Sequence, residues 1–183
     1  MRDLSPLFLL PVAATVMVAP AAYAQQYLTT EQAQRTLFPA ATRFVAASVT
    51  LSEAQRDLIE EKSGVRQRWE TQEVWRAELD GQLLGWFIVD KVVGKHEFIT
   101  YAAALATDGK VLGMEVMTYL ETYGSQIREV SWKQHLVGKT SADAFKLGKD
   151  IPNISGATLS CRNVSNGIKR LLALQEVALP YGQ

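Results

Sequence analysis

Between Trp75 and Leu120 the chain alternates or runs apolar with the periods of strands. Trp75, Ala77 and Leu79 alternate with Arg76 and Glu78, the period of two expected of a half-buried strand. Asp80-Gly81 follows, a pair suited to the left-handed positions of a tight hairpin turn. Leu83 to Val93 is rich in Trp, Phe, Ile and Val and reads as a buried strand. Phe98 to Thr107 predicts a third strand, Asp108-Gly109 a second tight turn, and Val111 to Leu120 a fourth strand. Sequential strands with such short turns make an antiparallel meander.

Helical spacing brackets this region. Thr29-x-x-Gln32 and Ser52-x-x-Gln55 both have the capping-box pattern and predict two short opening helices. The second covers Glu53 to Lys62, with Ala54, Leu58 and Ile59 on one side and Gly64 as its stop. Ile127 to Leu136 is a short helix candidate. The last helix carries Val164, Ile168, Leu171 and Leu172 at i, i+4, i+7 and i+8, with Ser160 as the expected N-cap and Pro180 as the stop. The fold class is therefore α+β: an antiparallel meander sheet of about four strands covered by N- and C-terminal helices.

Leu7 to Ala22 is almost wholly apolar, follows Arg2 and ends in Ala22-Tyr23-Ala24. That order predicts a secretory signal peptide over residues 1–24, cut before Gln25, and a single domain over 25–183. The run is shorter than the roughly 20 residues needed to span a bilayer, and Pro11 and Pro20 interrupt it. The expected location is the periplasm, with a membrane anchor facing the periplasm as the alternative.

Composition narrows the function. Apolar residues make up 48% and charged residues 21%, enough to build a packed core. Lys+Arg and Asp+Glu both number 19, so the basic footprint of a nucleic-acid binder is missing. One cysteine, Cys161, excludes a disulfide framework and predicts no disulfide-linked partner. Two histidines, His96 and His135, argue against a histidine-rich metal site.

The segment that carries chemistry is Asn153 to Ser160, directly before the last helix. It is made of small and hydroxyl residues, and Gly156 allows close backbone approach. Unpaired N–H groups at a helix start point back at such a loop and suit a phosphate. The same residues also make an ordinary capped helix start, in which Ser and Thr serve only the backbone.

Ser155-Gly156-Ala157-Thr158-Leu159-Ser160 resembles the flavinylation motif S-G-A-T-x-S/T of the FMN-binding domain family. That family includes the extracytoplasmic flavin subunits of the sodium-pumping NADH:quinone oxidoreductase and of the Rnf complex. Glu121-Thr122-Tyr123-Gly124 is similar to the family's E-T-P-G element beside the flavin, with Tyr123 in place of the proline. Ser125-Gln126 replaces a leucine-glycine, and Lys95-His96-Glu97 stands where a glycine-rich stretch is often found. The resemblance covers roughly Val74 to Leu172 and implies FMN joined through its phosphate to the hydroxyl of Thr158. It also implies a separate flavin transferase for maturation. Ser155, Gly156, Ala157, Leu159 and Ser160 would shape the loop. Glu121, Thr122, Tyr123 and Gly124 would border the ring.

The function this implies is exported electron transfer between membrane or periplasmic redox partners, a carrier rather than a stand-alone enzyme. Two alternatives stay open: a flavin-dependent reductase with its own small substrate, and a non-covalent FMN-binding or sensing module. Among the remaining residues, Trp75, Trp86, Phe87 and Phe98 are expected in the core. Tyr119 and Tyr123 are the candidates to contact the ring. His96 is expected in a solvated turn, and Lys169 and Arg170 on the solvent face of the last helix. Cys161 is read as a small buried residue whose position near a helix start would favour a lowered pKa.

Overall fold

The computed structural model describes residues 25–179. The expected signal peptide and Pro180 lie outside the described residues. The elements run β1 (Gln25–Gln26), α1 (Thr30–Leu37), β2 (Arg43–Ala46), β3 (Val49–Thr50), α2 (Glu53–Ser63), β4 (Thr71–Leu79), β5 (Gln82–Val93), β6 (Phe98–Ala106), β7 (Val111–Tyr119), α3 (Val130–Lys133) and α4 (Thr158–Ala178).

Strands β4 to β7 are the expected antiparallel meander. The sheet is wider than four strands, with order β1-β7-β6-β5-β4-β2, and β3 also pairs with β4. β1 pairs with the end of β7, Gln25 opposite Tyr119. Asp80 and Gly81 have φ of 50° and 88°, which is why a short turn closes β4 onto β5.

Both faces of the sheet are covered, and the residues of each strand divide between two cores. Trp86, Ile88, Tyr101, Ala103 and Leu105 face α4, whose Val164, Ile168, Leu171 and Leu172 pack on them. Phe87, Ala102 and Ala104 face the other way, into a smaller core with Ala33 and Phe38. A strand buried on both faces has no polar side, so β5 and β6 read as apolar runs and not as alternation. α2 packs on α4 and puts Ile59 into the larger core.

Both capping boxes are present: Thr29 and Ser52 accept from the amides of Gln32 and Gln55, whose side chains return the bond. Gly64, at φ 70°, ends α2 in the left-handed conformation. The helix expected over 127–136 is broken into a 3-10 turn at Ser125–Arg128, α3, and a second 3-10 turn at Gln134–Leu136. Its apolar residues Ile127, Trp132 and Leu136 are all buried, so packing against β7 decides its course.

Candidate functional site

α4 begins earlier than expected. Gly156 supplies a left-handed turn at φ 80°, and Ala157, not Ser160, is the N-cap. Ala157 N–H donates to the Ile154 carbonyl at 3.0 Å and its own carbonyl accepts from Cys161 N–H at 2.9 Å. No side chain caps the helix. Thr158 is therefore the first helical residue. It is half-buried, and its hydroxyl bonds to none of the described residues. Ser160 is 2% exposed instead of capping, with Oγ 3.4 Å from the Tyr119 hydroxyl.

The second motif is folded against the first. β7 ends at Tyr119, whose hydroxyl donates to the Tyr123 carbonyl at 2.5 Å and so curls the chain back. Gly124 then takes φ 89° and sits on Ala157. A methyl at Gly124 would come 2.1 Å from the Ala157 Cβ and 2.8 Å from the Tyr119 hydroxyl. Glu121 reaches across to the β5–β6 turn, where its Oε1 accepts from the amides of His96 at 2.6 Å and Glu97 at 3.0 Å. Gly94 makes room for it, since a side chain there would come 2.4 Å from Oε1.

Eight of the ten residues expected at the site line one groove of about 350 Å³: Glu121, Thr122, Tyr123, Gly156, Ala157, Thr158, Leu159 and Ser160. Gly124 lies behind it as packing, and Ser155 is exposed outside it. Lys95 and His96 complete the lining. Sequence reading placed His96 in a turn, and it is exposed there, but only the fold carries that turn to the loop before α4. Gly94 was missed too; its one signal was a glycine at the end of a long apolar strand. Tyr119 is 3% exposed and belongs to the supporting network, whereas Tyr123 is 75% exposed and stands free at the rim.

Electrostatics follow from these contacts. Burial raises the Glu121 pKa, but the amides of Glu97, His96 and Lys95 outweigh it and hold the carboxyl below its usual range. Burial pushes the Tyr119 hydroxyl up, and the Glu121 carboxylate adds to this, so it stays a donor. Burial also pushes the Cys161 thiol up, against the lowering expected of a helix start, because desolvation exceeds the backbone contribution there.

Three further expectations are corrected or refined. Arg170 is not on the solvent face: it is 4% exposed and paired with the buried Asp90. Phe98 is 47% exposed at the start of β6, where it lines a surface groove and not the core. His135 sits just after α3 with Nδ1 2.9 Å from the Ser131 carbonyl, a helix-end position as expected.

Two predictions arise here. Gly124→Ala is expected to lower stability more than Gly156→Ala. Both add left-handed strain of about 1–2 kcal/mol, but only Gly124 also meets Ala157; nothing lies within 4 Å of Gly156. Thermal unfolding of the two variants compares them. The second concerns pH. Glu121 has a depressed folded-state pKa, so its contribution is present above the unfolded value and lost as pH falls through the folded one. The amide resonances of His96 and Glu97 should move together in an acid titration, with a midpoint below the ordinary glutamate value. Independent midpoints, or none, would contradict the Glu121 clamp.

The residues fit a phosphate-tethered aromatic cofactor. A helix start without a side-chain cap favours an anion, a free threonine hydroxyl stands at that start, and Lys95 lies on the opposite wall. The groove is of the size of a small-molecule site, with Tyr123 and Leu159 as apolar walls. Such a fold and groove define a ligand-binding α+β domain. The model of the FMN-binding domain family matches residues 94–173, the stretch that carries this groove. The solved structure of NqrC from Shewanella oneidensis is similar at TM-score 0.54 and 16% identity, over 80% of this chain and 88% of that one. A solved subunit of the Na(+)-translocating NADH-quinone reductase from Parabacteroides distasonis is similar at TM-score 0.52 and 13% identity, over 85% of this chain and 86% of that one. At such identities the likeness is one of fold. No curated protein matches the sequence.

Proposed function

We propose that the chain is an exported electron-transfer flavoprotein with FMN held covalently on Thr158. The observation that carries this reading is the meeting of two distant motifs, Glu121–Gly124 and Ser155–Ser160, around an uncapped helix start with an unengaged threonine. The threonine oxygen would hold the phosphoester. The amides of the first turn of α4 would neutralise the phosphate charge. Bound FMN supplies the redox chemistry. Glu121 fixes the turn that carries Lys95 and His96, and so sets one wall of the groove. Tyr123 and Leu159, both exposed, would flank the ring.

A threonine hydroxyl is a poor nucleophile without an activating base. Maturation by a separate flavin transferase supplies that base. A covalent tether also suits a protein exported by the segment before Gln25 and unable to recapture a lost cofactor in the periplasm. One of the two similar structures is a subunit of a Na(+)-translocating NADH-quinone reductase, which supports a redox partner for this chain, membrane-bound or periplasmic in our reading.

Intact mass of the exported protein, made with and without a flavin transferase, tests the reading. A gain of one FMN less one water, only with the transferase, supports it. Yellow colour lost on denaturation, with the bare mass, would point to the non-covalent FMN module instead.

A further inference from the structure

A second concave site lies beside the flavin groove, and its charge is unbalanced. The segment leading into β4 exposes Arg66 and Arg68 while Gln67 between them is 2% exposed. Gln67 is held by both ends of its amide: Nε2 donates to the Trp69 carbonyl at 2.9 Å, and Oε1 accepts from Arg170. Val65 is pinned as well, its N–H donating to Ser63 Oγ at 3.0 Å. Alternation along a pinned extended segment puts both arginines on one side. Lys91 of β5 lies over the Trp69 ring, 5.5 Å from its centroid.

These groups rim a groove of about 140 Å³, closed by Phe98 of β6 and by Asn163 and Asn166 of α4. No carboxylate lines it. Arg66, Arg68 and Lys91 form no ion pair among the described residues, whereas Arg43, Arg56, Arg76 and Arg170 each have one. In a chain of net charge zero, three unpaired cations around one concavity concentrate positive potential there. Arg170 at the floor adds no excess, because Asp90 neutralises it.

Size and chemistry restrict the occupant. A water takes about 30 Å³ of liquid, so the groove holds a group of phosphate or short-dicarboxylate scale, well under the roughly 300–1,000 Å³ of a drug-sized site. Arginine forks bind the paired oxygens of such groups. The Asn166 amide has no partner among the described residues and can donate. We propose that this groove binds a small dianionic ligand, a phosphate or a dicarboxylate. Asn163 is five residues along α4 from Thr158, about 7.5 Å of helical rise, and the ends of β5 and β6, Val93 and Phe98, line this groove while Lys95 and His96 of the turn between them line the other. The ligand would therefore sit next to the flavin groove, though its binding does not depend on the flavin.

Calorimetric titration of the full exported chain at constant ionic strength tests this, with inorganic phosphate and succinate as separate probes. Chloride serves as control and hexaglutamate as a peptide probe. Saturable one-to-one binding of phosphate or succinate is expected, the two arms telling the chemistries apart. Arg66→Gln/Arg68→Gln should weaken it at least tenfold, and Lys110→Gln, in an exposed pair with Asp108, should leave it unchanged. Protein made with and without a flavin transferase is titrated alike, so failure of the flavin reading leaves this test standing. No saturation with either small anion, equal affinity in the double variant, or binding of hexaglutamate alone would overturn the proposal.

Discussion

Thr158→Ala protein, made alongside a flavin transferase, is expected to leave the cell with its bare mass and no visible absorbance, while the unchanged chain carries one flavin. The effect should be all-or-none, since the other hydroxyls around the start of α4 are not open to the groove as that of Thr158 is. Ser160 is 2% exposed and faces Tyr119, and Ser155 lies outside the groove. Thr158 is half-buried and caps nothing, so its loss should change stability by no more than about 0.5 kcal/mol. Unaltered thermal unfolding with lost flavin would separate attachment from folding. A Thr158→Val variant, which keeps the branched shape and removes only the hydroxyl, should behave as the alanine does. Retained covalent flavin in either variant would move the attachment to another residue and sink the assignment.

The largest stability effect is expected at Asp90. Its carboxylate is fully buried between β5 and α4, accepting from the Tyr101 hydroxyl at 2.5 Å and from Arg170. Burial lowers the Arg170 pKa, but the attraction of Asp90 more than reverses it, so the guanidinium remains charged. Burial, reinforced by Asp90, raises the Tyr101 pKa well above the usual value, so the phenol remains a donor. Asp90→Ala strands a buried cation and a buried phenol together. Breaking a buried pair from one side costs about 3–5 kcal/mol, out of a total of roughly 5–15 kcal/mol for a domain. A fall in melting temperature on the order of 10 °C is expected. Adding Arg170→Met should recover part of the loss, because it removes the uncompensated charge. A double variant as unstable as the sum of the two singles would show that the charge is not what the pair contributes.

The same pair marks where sequence reading stopped. Arg170 neighbours Lys169, and two adjacent basic residues on an amphipathic helix look like a solvated face. Its burial depends on Asp90, 80 residues away, and on Gln67, 103 residues away. Nothing local signals such a pairing. Strands β2 and β3 were missed for a related reason. They are 4 and 2 residues long, and edge pairing on β4 defines them more than any pattern of their own. By contrast, the meander, the two capping boxes and the stripe of α4 were legible. Turns, caps and amphipathic periods are set by neighbours within about four residues.

For the site, the sequence by itself determined the chemistry of the two motifs and the order in which they occur. Small residues before a helix, with Gly156 to take a left-handed turn, fix where a phosphate could approach. The sequence did not determine that the helix starts at Thr158. Ser160 is a good cap by type, yet packing against Tyr119 buries it, and a buried serine cannot also hold the helix start. Nor did it determine the opposite wall. Lys95 and His96 reach the groove because Glu121, at the end of β7, binds the amides of the β5–β6 turn, and because Gly94 leaves room for that carboxylate. Those contacts join residues on neighbouring strands, and only sheet register brings them within hydrogen-bonding distance. Local covalent preference decided what each segment is; long-range packing decided which segments meet.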